Sequence, residues 1–200
     1  MSSARWLKRY SLSHPGKNNI HKSGSNRTAA DVAATQSREF RILGIDPGIA
    51  STGFGAIRCN KLIPSLLKCG YIKTSPRDHI SNRLFQIHSD INHLIHTLHP
   101  DLIAIENVFS LVRYPKAGIL LGGVLGIIYL TVFQNNISTT EISPKEVKNS
   151  LVGYGGANKH QVQEAIKKLL NITDVKSFHA SDALAIALTA FYRKYPRRDR

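Results

Sequence analysis

Acidic residues are scarce in this chain. There are 13 Asp and Glu against 27 Lys and Arg in 200 residues, giving a formal net charge of +14. That excess does not by itself mark the body of the chain as a nucleic-acid surface, because most of it lies at the ends. Residues 1–39 carry seven basic and two acidic side chains, and residues 193–200 carry five and one, which leaves +5 for residues 40–192. Basic tails are often simply solvated or bind polyanions loosely. Cysteine is scarcer still. Cys59 and Cys69 are the only two, so a disulfide framework and a Cys-based metal site are both excluded. They fall in neighbouring strand-like segments and are expected as free thiols of a reducing compartment. Long apolar runs are absent except for Ala117–Phe133, which carries no charge. It sits near the lower limit of about 17 residues for a crossing helix and is interrupted by Gly118, Gly122, Gly123 and Gly126. It is expected as a buried helix and not as a membrane span. Glycines at 118, 122 and 126, four apart, let another backbone approach. A helix this apolar all round needs cover on several sides, and a subunit partner is one source of it.

Residues 1–39 are rich in Ser, Asn, Lys and Arg and lack apolar periodicity. They are expected to be a disordered leader or to precede the true start, with organelle targeting as the lesser alternative. Order begins near residue 40. Arg41–Ile45, Ser51–Ile57 and Leu66–Lys73 read as three strands of an antiparallel meander. Ser81–Leu98 reads as a helix with Leu84, Ile87, Ile91, Leu94, Ile95 and Leu98 on one face, ended by Pro100. Leu102–Glu106 and Ser138–Ile142 read as further strands, and Lys145–Ser150, Lys159–Leu170 and Ala180–Lys194 as helices. The order predicts an α/β fold: a mixed five-stranded sheet with helices on both faces, filling residues 40–195, followed by a basic tail at 196–200.

Four residues carry the chemistry. Asp46 closes the first strand and is turned outward by Pro47 and Gly48. Glu106 closes a strand that is otherwise apolar. His179 and Asp182, three apart at the start of a helix, share a face. Acids at the ends of buried strands are costly to hold together unless a cation neutralises them. Mg²⁺ suits such oxygens and completes its shell with water and phosphate. An acidic metal centre on a basic chain therefore points to phosphodiester chemistry.

Taken singly, each signal has a plainer reading: a turn cap for Asp46, a surface acid for Glu106, a helix cap for the His179–Asp182 pair. Gly44, Gly48, Gly53 and Gly55 would also let a phosphate reach the backbone. That pattern suits an actin-like or sugar-kinase-like ATP site, a fold that needs two such domains and far more chain. Phe109, just after Glu106, is placed to stack on an unpaired base. Lys145, Lys148 and Lys159 flank a glycine-rich loop and suit a phosphate backbone. His88, His93 and His96 lie off the apolar face of their helix and read as solvated.

In order, the chain carries Gly-Ile-Asp-Pro-Gly, Ile-Glu-Asn-Val-Phe, Lys-x-Val-Lys, Gly-x-Gly-x-Ala-x-Lys and Asp-Ala-Leu-Ala-Ile-Ala. This series resembles the RuvC family of bacterial Holliday junction resolvases over about residues 41–193. The resemblance implies an RNase H-like fold of the retroviral integrase superfamily. It also implies a homodimer that nicks two opposed strands of a four-way DNA junction, in the cytoplasm at the nucleoid, together with a branch-migration helicase complex of the RuvA-RuvB type. It assigns Asp46, Glu106, His179 and Asp182 as catalytic metal ligands for two Mg²⁺ ions, with Mn²⁺ able to substitute. It assigns Lys148 and Lys159 as DNA-contacting lysines and Phe109 as the stacking aromatic. The family carries Asp or His at the position of His179. Leu120 stands where the family has a Lys, and Gly123-Val124-Leu125-Gly126 where it has Gln-Ala-Arg-Gly. Arg113 and Lys116 are the basic residues expected to compensate. The alternatives are another RNase H-like nuclease of the YqgF type, acting on RNA, and a junction-binding protein without catalysis.

Overall fold

A computed structural model describes residues 39–60, 63–107, 115–175 and 177–196. The leader and tail expectations lie outside the described residues, as do Phe109 and Arg113. Among the described residues there are five strands and five helices. The strands are β1 (Phe40–Asp46), β2 (Ser51–Asn60), β3 (Ile63–Lys73), β4 (Leu102–Glu106) and β5 (Ser138–Ile142). The helices are α1 (Ile80–Leu98), α2 (Pro115–Gln134), α3 (Pro144–Val152), α4 (Lys159–Leu170) and α5 (Phe178–Lys194). They form one mixed sheet in the order β3-β2-β1-β4-β5. β1, β2 and β3 are antiparallel neighbours, while β1, β4 and β5 run parallel.

Both faces of the sheet are covered, so its central strands are apolar on both sides. On one face Ile42, Ala104 and Ile142 pack with α3, α4 and α5. On the other, Leu43, Ile45, Ile103 and Ile105 pack with α1 and α2. Local chemistry sets the helix boundaries. α1 ends at His99 in the left-handed conformation (φ 46°), one residue before Pro100. The Ser143 hydroxyl accepts the Glu146 N–H at the start of α3, and Gly153 (φ 86°) ends it. Asn158 and Gln161 form a reciprocal capping box on α4.

Several expectations are corrected by tertiary context. β3 begins at Ile63, ahead of the expected Leu66, because it is an edge strand and tolerates Pro64. Cys59 and Cys69 are free, as expected. They do not face each other, since Cys59 lies opposite Pro64 and Cys69 opposite Gly55. His88 is not solvated: it is half-buried, with Nδ1 2.7 Å from the Thr131 hydroxyl on α2. The glycine-rich helix is 20 residues long and is not fully buried. Val124, Ile128 and Val132 are buried on the domain side, but Ile119 is 76% exposed and Phe133 72% exposed. Among the described residues, a β-carbon added at Gly122 or Gly126 would meet nothing within 4 Å. By length and composition alone, Lys116–Gln134 would suffice to cross a membrane. Its apolar surface exceeds what one sheet face and α1 can cover.

Candidate active site

Asp46 and Glu106 are brought together by strand register. β1 and β4 are parallel neighbours paired up to Ile45 and Ile105, so the next residue on each strand is the acid. With a side-chain period of two, Asp46 falls on the same face as Ile42 and Gly44, and Glu106 on that of Ala104. Both acids therefore emerge on the α5 side, at the carboxyl ends of adjacent strands. That is where open α/β sheets present their ligand crevices.

Helix α5 supplies the other two groups, and glycines allow it to lie so close. β-carbons at Gly44, Gly53 and Gly55 would collide with the α5 backbone: with the Ala183 carbonyl, with the His179 carbonyl, and with the Leu184 amide at 2.6 Å, respectively. A β-carbon at Gly48 would strike the Ser51 carbonyl within its own turn. This overturns the phosphate-approach reading of these glycines: helix backbone occupies the space a phosphate would need. The helix-capping reading of the His179–Asp182 pair also fails. Ser177 is the N-cap residue, and it makes no side-chain cap bond.

The result is a cleft of about 380 Å³ lined by Asp46, Glu106, His179 and Asp182 together with Lys148 and Lys159. Val147, Val162 and Ile186 form apolar parts of its wall, a lining that spacing arguments alone do not reveal. Lys145, on the same helix as Lys148, is exposed and lies outside the cleft lining, against Gly155. Lys116 is exposed near the start of α2.

His179 Nδ1 lies 3.2 Å from Asp46 Oδ2. In a neutral imidazole donating Nδ1–H to that carboxylate, Nε2 keeps its lone pair for a water or a metal. Lys159 Nζ donates to Asp182 Oδ2 at 3.2 Å. Burial raises the Asp46 carboxyl above its ordinary range, against the opposing hydrogen bond from His179. Glu106 is pushed up to about 7, first by burial and then by the negative charges of Asp46 and Asp182. The two carboxyls are near enough to influence each other's protonation.

Three carboxylates and an imidazole in one cleft are three hard oxygen donors and one borderline nitrogen donor. Among the described residues, no three of these groups converge tightly enough to enclose an ion unaided.

The strain of the acid cluster has a measurable consequence. Glu106 has an ordinary value of 4.5 and sits at about 7 in the fold. Its proton-linked stability is therefore present below pH 4.5 and lost as pH rises through 7. In EDTA at pH 8, Glu106→Gln is expected to be more stable than the wild type by about 1–3 kcal/mol. The difference should disappear near pH 4.5 and shrink at pH 8 when a divalent cation is added. Urea unfolding at the two pH values checks this. An equal difference at both would show that burial and like charge do not govern Glu106.

A profile of the family described as Crossover junction endodeoxyribonuclease RuvC matches residues 42–190. A Caldicellulosiruptor saccharolyticus protein of that description is 40% identical over 151 residues, spanning 74% of this chain and 90% of that one. A Ralstonia pickettii protein of the same description is 36% identical over 149 residues, spanning 74% and 82%. Among solved structures, T. thermophilus RuvC in complex with Holliday junction substrate superposes with a TM-score of 0.73 at 31% identity, covering 78% of this chain and 96% of that one.

Proposed function

Because this chain belongs to the RuvC family of crossover junction endodeoxyribonucleases, we propose that the cleft described above is where it cuts four-way DNA junctions. The chain is a metal-dependent nuclease with an RNase H-like fold that acts on Holliday junctions in recombination and repair. Neither the YqgF-type alternative nor the non-cleaving one is favoured. The observation that carries the assignment to this cleft is the pairing of Asp46 and Glu106 at the ends of adjacent parallel strands, with α5 seated against them on glycines.

In our reading, Asp46, Glu106, His179 and Asp182 hold two divalent cations, Mg²⁺ or Mn²⁺. Held there, such ions would supply a polarised water and charge stabilisation for a leaving oxygen. The chain's own groups do the rest. Asp46 accepts the His179 Nδ1–H and fixes the ring, which leaves the Nε2 lone pair for a cation. Lys148 offsets charge on the scissile phosphate. Lys159 holds Asp182 until DNA enters and then contacts the backbone. The products are a 5′-phosphate and a 3′-hydroxyl, which a ligase can rejoin. Phe109, Arg113 and Lys145 extend the DNA contact outside the cleft. Residues 40–195 form the nuclease domain, with residues 1–39 and 196–200 as basic extensions.

The working unit is a homodimer in this reading, because two opposed strands need two centres. Its natural contact is the uncovered stripe of α2 through Ile119, Gly122, Gly126 and Phe133. That use of the stripe is preferred to a membrane. A branch-migration helicase complex of the RuvA-RuvB type is the expected partner. The cytoplasm at the nucleoid is the expected location, with organelle targeting by residues 1–39 as the lesser alternative.

The experiment is incubation of the full-length protein with a labelled mobile four-way junction in Mg²⁺ or EDTA, with linear duplex as control. Symmetric paired nicks that require Mg²⁺ and spare the duplex are expected. Cutting of the linear duplex at the same rate would remove the junction-resolving assignment.

A further inference from the structure

Beside the cleft, but on the opposite face of the sheet, lies a chain of hydrogen bonds that the mechanism has not used. The β4–β5 pairing sets Ile105 opposite Glu141 and Glu106 opposite Ile142. It continues one residue further, where the Asn107 N–H donates to the Ile142 carbonyl at 2.9 Å. Because side chains alternate along a strand, Asn107 and Glu141 face α2 while Glu106 faces α5. There the Asn107 side-chain amide donates to Glu141 Oε2 at 2.8 Å. The Tyr129 hydroxyl on α2 donates to Glu141 Oε1 at 2.6 Å. Burial and the neighbouring carboxylate push the Tyr129 phenol up to about 12, so it stays protonated and remains a donor.

A second branch leaves the same residue. Arg193, near the end of α5, donates to the Glu141 carbonyl at 3.0 Å and to the Thr140 hydroxyl at 2.6 Å. It also grips both carboxylate oxygens of Glu146 on α3, at 2.8 and 2.6 Å. α5 carries His179 and Asp182, and α3 carries Lys148. Position 141 thus joins β4, α2, α5 and α3, and three of these elements bear groups of the cleft.

We propose that Glu141 is a positioning residue of the nuclease centre. Through Asn107 it fixes the end of β4, and so the direction of Glu106, and through Tyr129 it ties that strand end to the glycine-rich helix. The physical need is plain. Glu106 is the last residue of a five-residue strand, and a strand end frays unless its next residue is held. A shift of about 1 Å in a catalytic group can lower a rate about a hundredfold. The inference rests on reading Glu106 as a catalytic acid.

The test uses Glu141→Ala, Glu141→Gln and Tyr129→Phe in the full-length chain. Single-turnover cleavage of a labelled four-way junction is measured with Mg²⁺, junction Kd is measured in EDTA, and thermal unfolding is recorded for each variant. Glu141→Ala should lower the cleavage rate about 10- to 100-fold with Kd within about twofold of the wild type. Glu141→Gln should recover most of the rate, since its amide oxygen accepts from Tyr129 and a flipped Asn107 amide restores the second bond. Tyr129→Phe removes one oxygen and keeps the packing. It should fall between the two, and it carries the test if Glu141→Ala does not fold.

A rate for Glu141→Ala within twofold of the wild type would overturn the proposal. So would parallel losses of rate, Kd and melting temperature that Glu141→Gln does not rescue, because those describe a general structural role. Glu106→Gln serves as the control. If it cuts normally, the catalytic reading of Glu106 is what fails. If it is inactive while every Glu141 variant is fully active, that reading stands and the brace is what fails.

Discussion

Asp46→Asn is expected to leave a folded protein that binds a four-way junction and does not cut it. Asp46 is placed by the β1–β4 register beside Glu106 and lies 3.2 Å from the imidazole of His179. It therefore sits between the other two acid-bearing elements of the cleft, β4 and α5. An amide of the same shape cannot supply an ionised oxygen to a cation, and it presents an N–H₂ group where the carboxylate accepted. The cleavage rate should fall about a thousandfold or more, which corresponds to about 4 kcal/mol of transition-state stabilisation. Binding should persist, because affinity for DNA depends mainly on Lys and Arg contacts to phosphate. The variant should also be no less stable than the wild type in EDTA, since it removes a buried charge from the cluster. Single-turnover cleavage in Mg²⁺ beside a gel-shift titration in EDTA separates the two properties. Loss of both would place Asp46 in the fold and not in the chemistry.

The second large effect comes from a residue with no side chain. Gly53 pairs with Asp46 across the β1–β2 ladder, and its α-carbon faces the start of α5. A β-carbon there would overlap the His179 carbonyl and also crowd His179 Cβ at 3.1 Å. Since the opposing atoms belong to helix backbone, no side chain can rotate away. The helix start must move, and His179 and Asp182 move with it. Gly53→Ala is expected to destabilise the chain by about 1–3 kcal/mol, the usual range for overpacking. It should also lower cleavage about a hundredfold through misplacement of the pair. Gly126→Ala is the contrast, since its β-carbon meets nothing within 4 Å among the described residues. That change should leave the chain's own stability unchanged or raise it by up to about 1 kcal/mol through helix propensity. Thermal melts and single-turnover rates of the two variants, side by side, check both expectations. Equal behaviour of the two would show that α5 does not depend on close approach at β2.

These two residues mark what could and could not be read from the chain. Asp46 and Glu106 were legible because each ends an apolar run, a one-dimensional signal that survives without knowledge of neighbours. The same holds for His179 and Asp182 at helical spacing, and for Lys148 and Lys159 flanking a glycine-rich loop. Gly44, Gly53 and Gly55 are ambiguous in the sequence because a glycine shows only that something comes close. Whether that is a phosphate or a helix depends on a segment some 130 residues later in the sequence. The glycine-rich helix was read as buried from its composition. Composition cannot say whether the cover comes from the same chain, and here one face has none among the described residues. Glu141 gave no signal, since an acid on a short, partly polar strand looks like any solvated side chain until its two hydrogen bonds are seen.

The central claim is that the acids closing β1 and β4, with the pair on α5, form the metal-holding nuclease centre. The most direct test is a count of bound Mn²⁺ by paramagnetic resonance at pH 8, on the wild type and on Asp46→Asn and Glu106→Gln, with junction DNA present. The account predicts two ions per chain in the wild type and loss of at least one in each variant. Undiminished Mn²⁺ binding by both variants would contradict it, because the ions would then be held elsewhere.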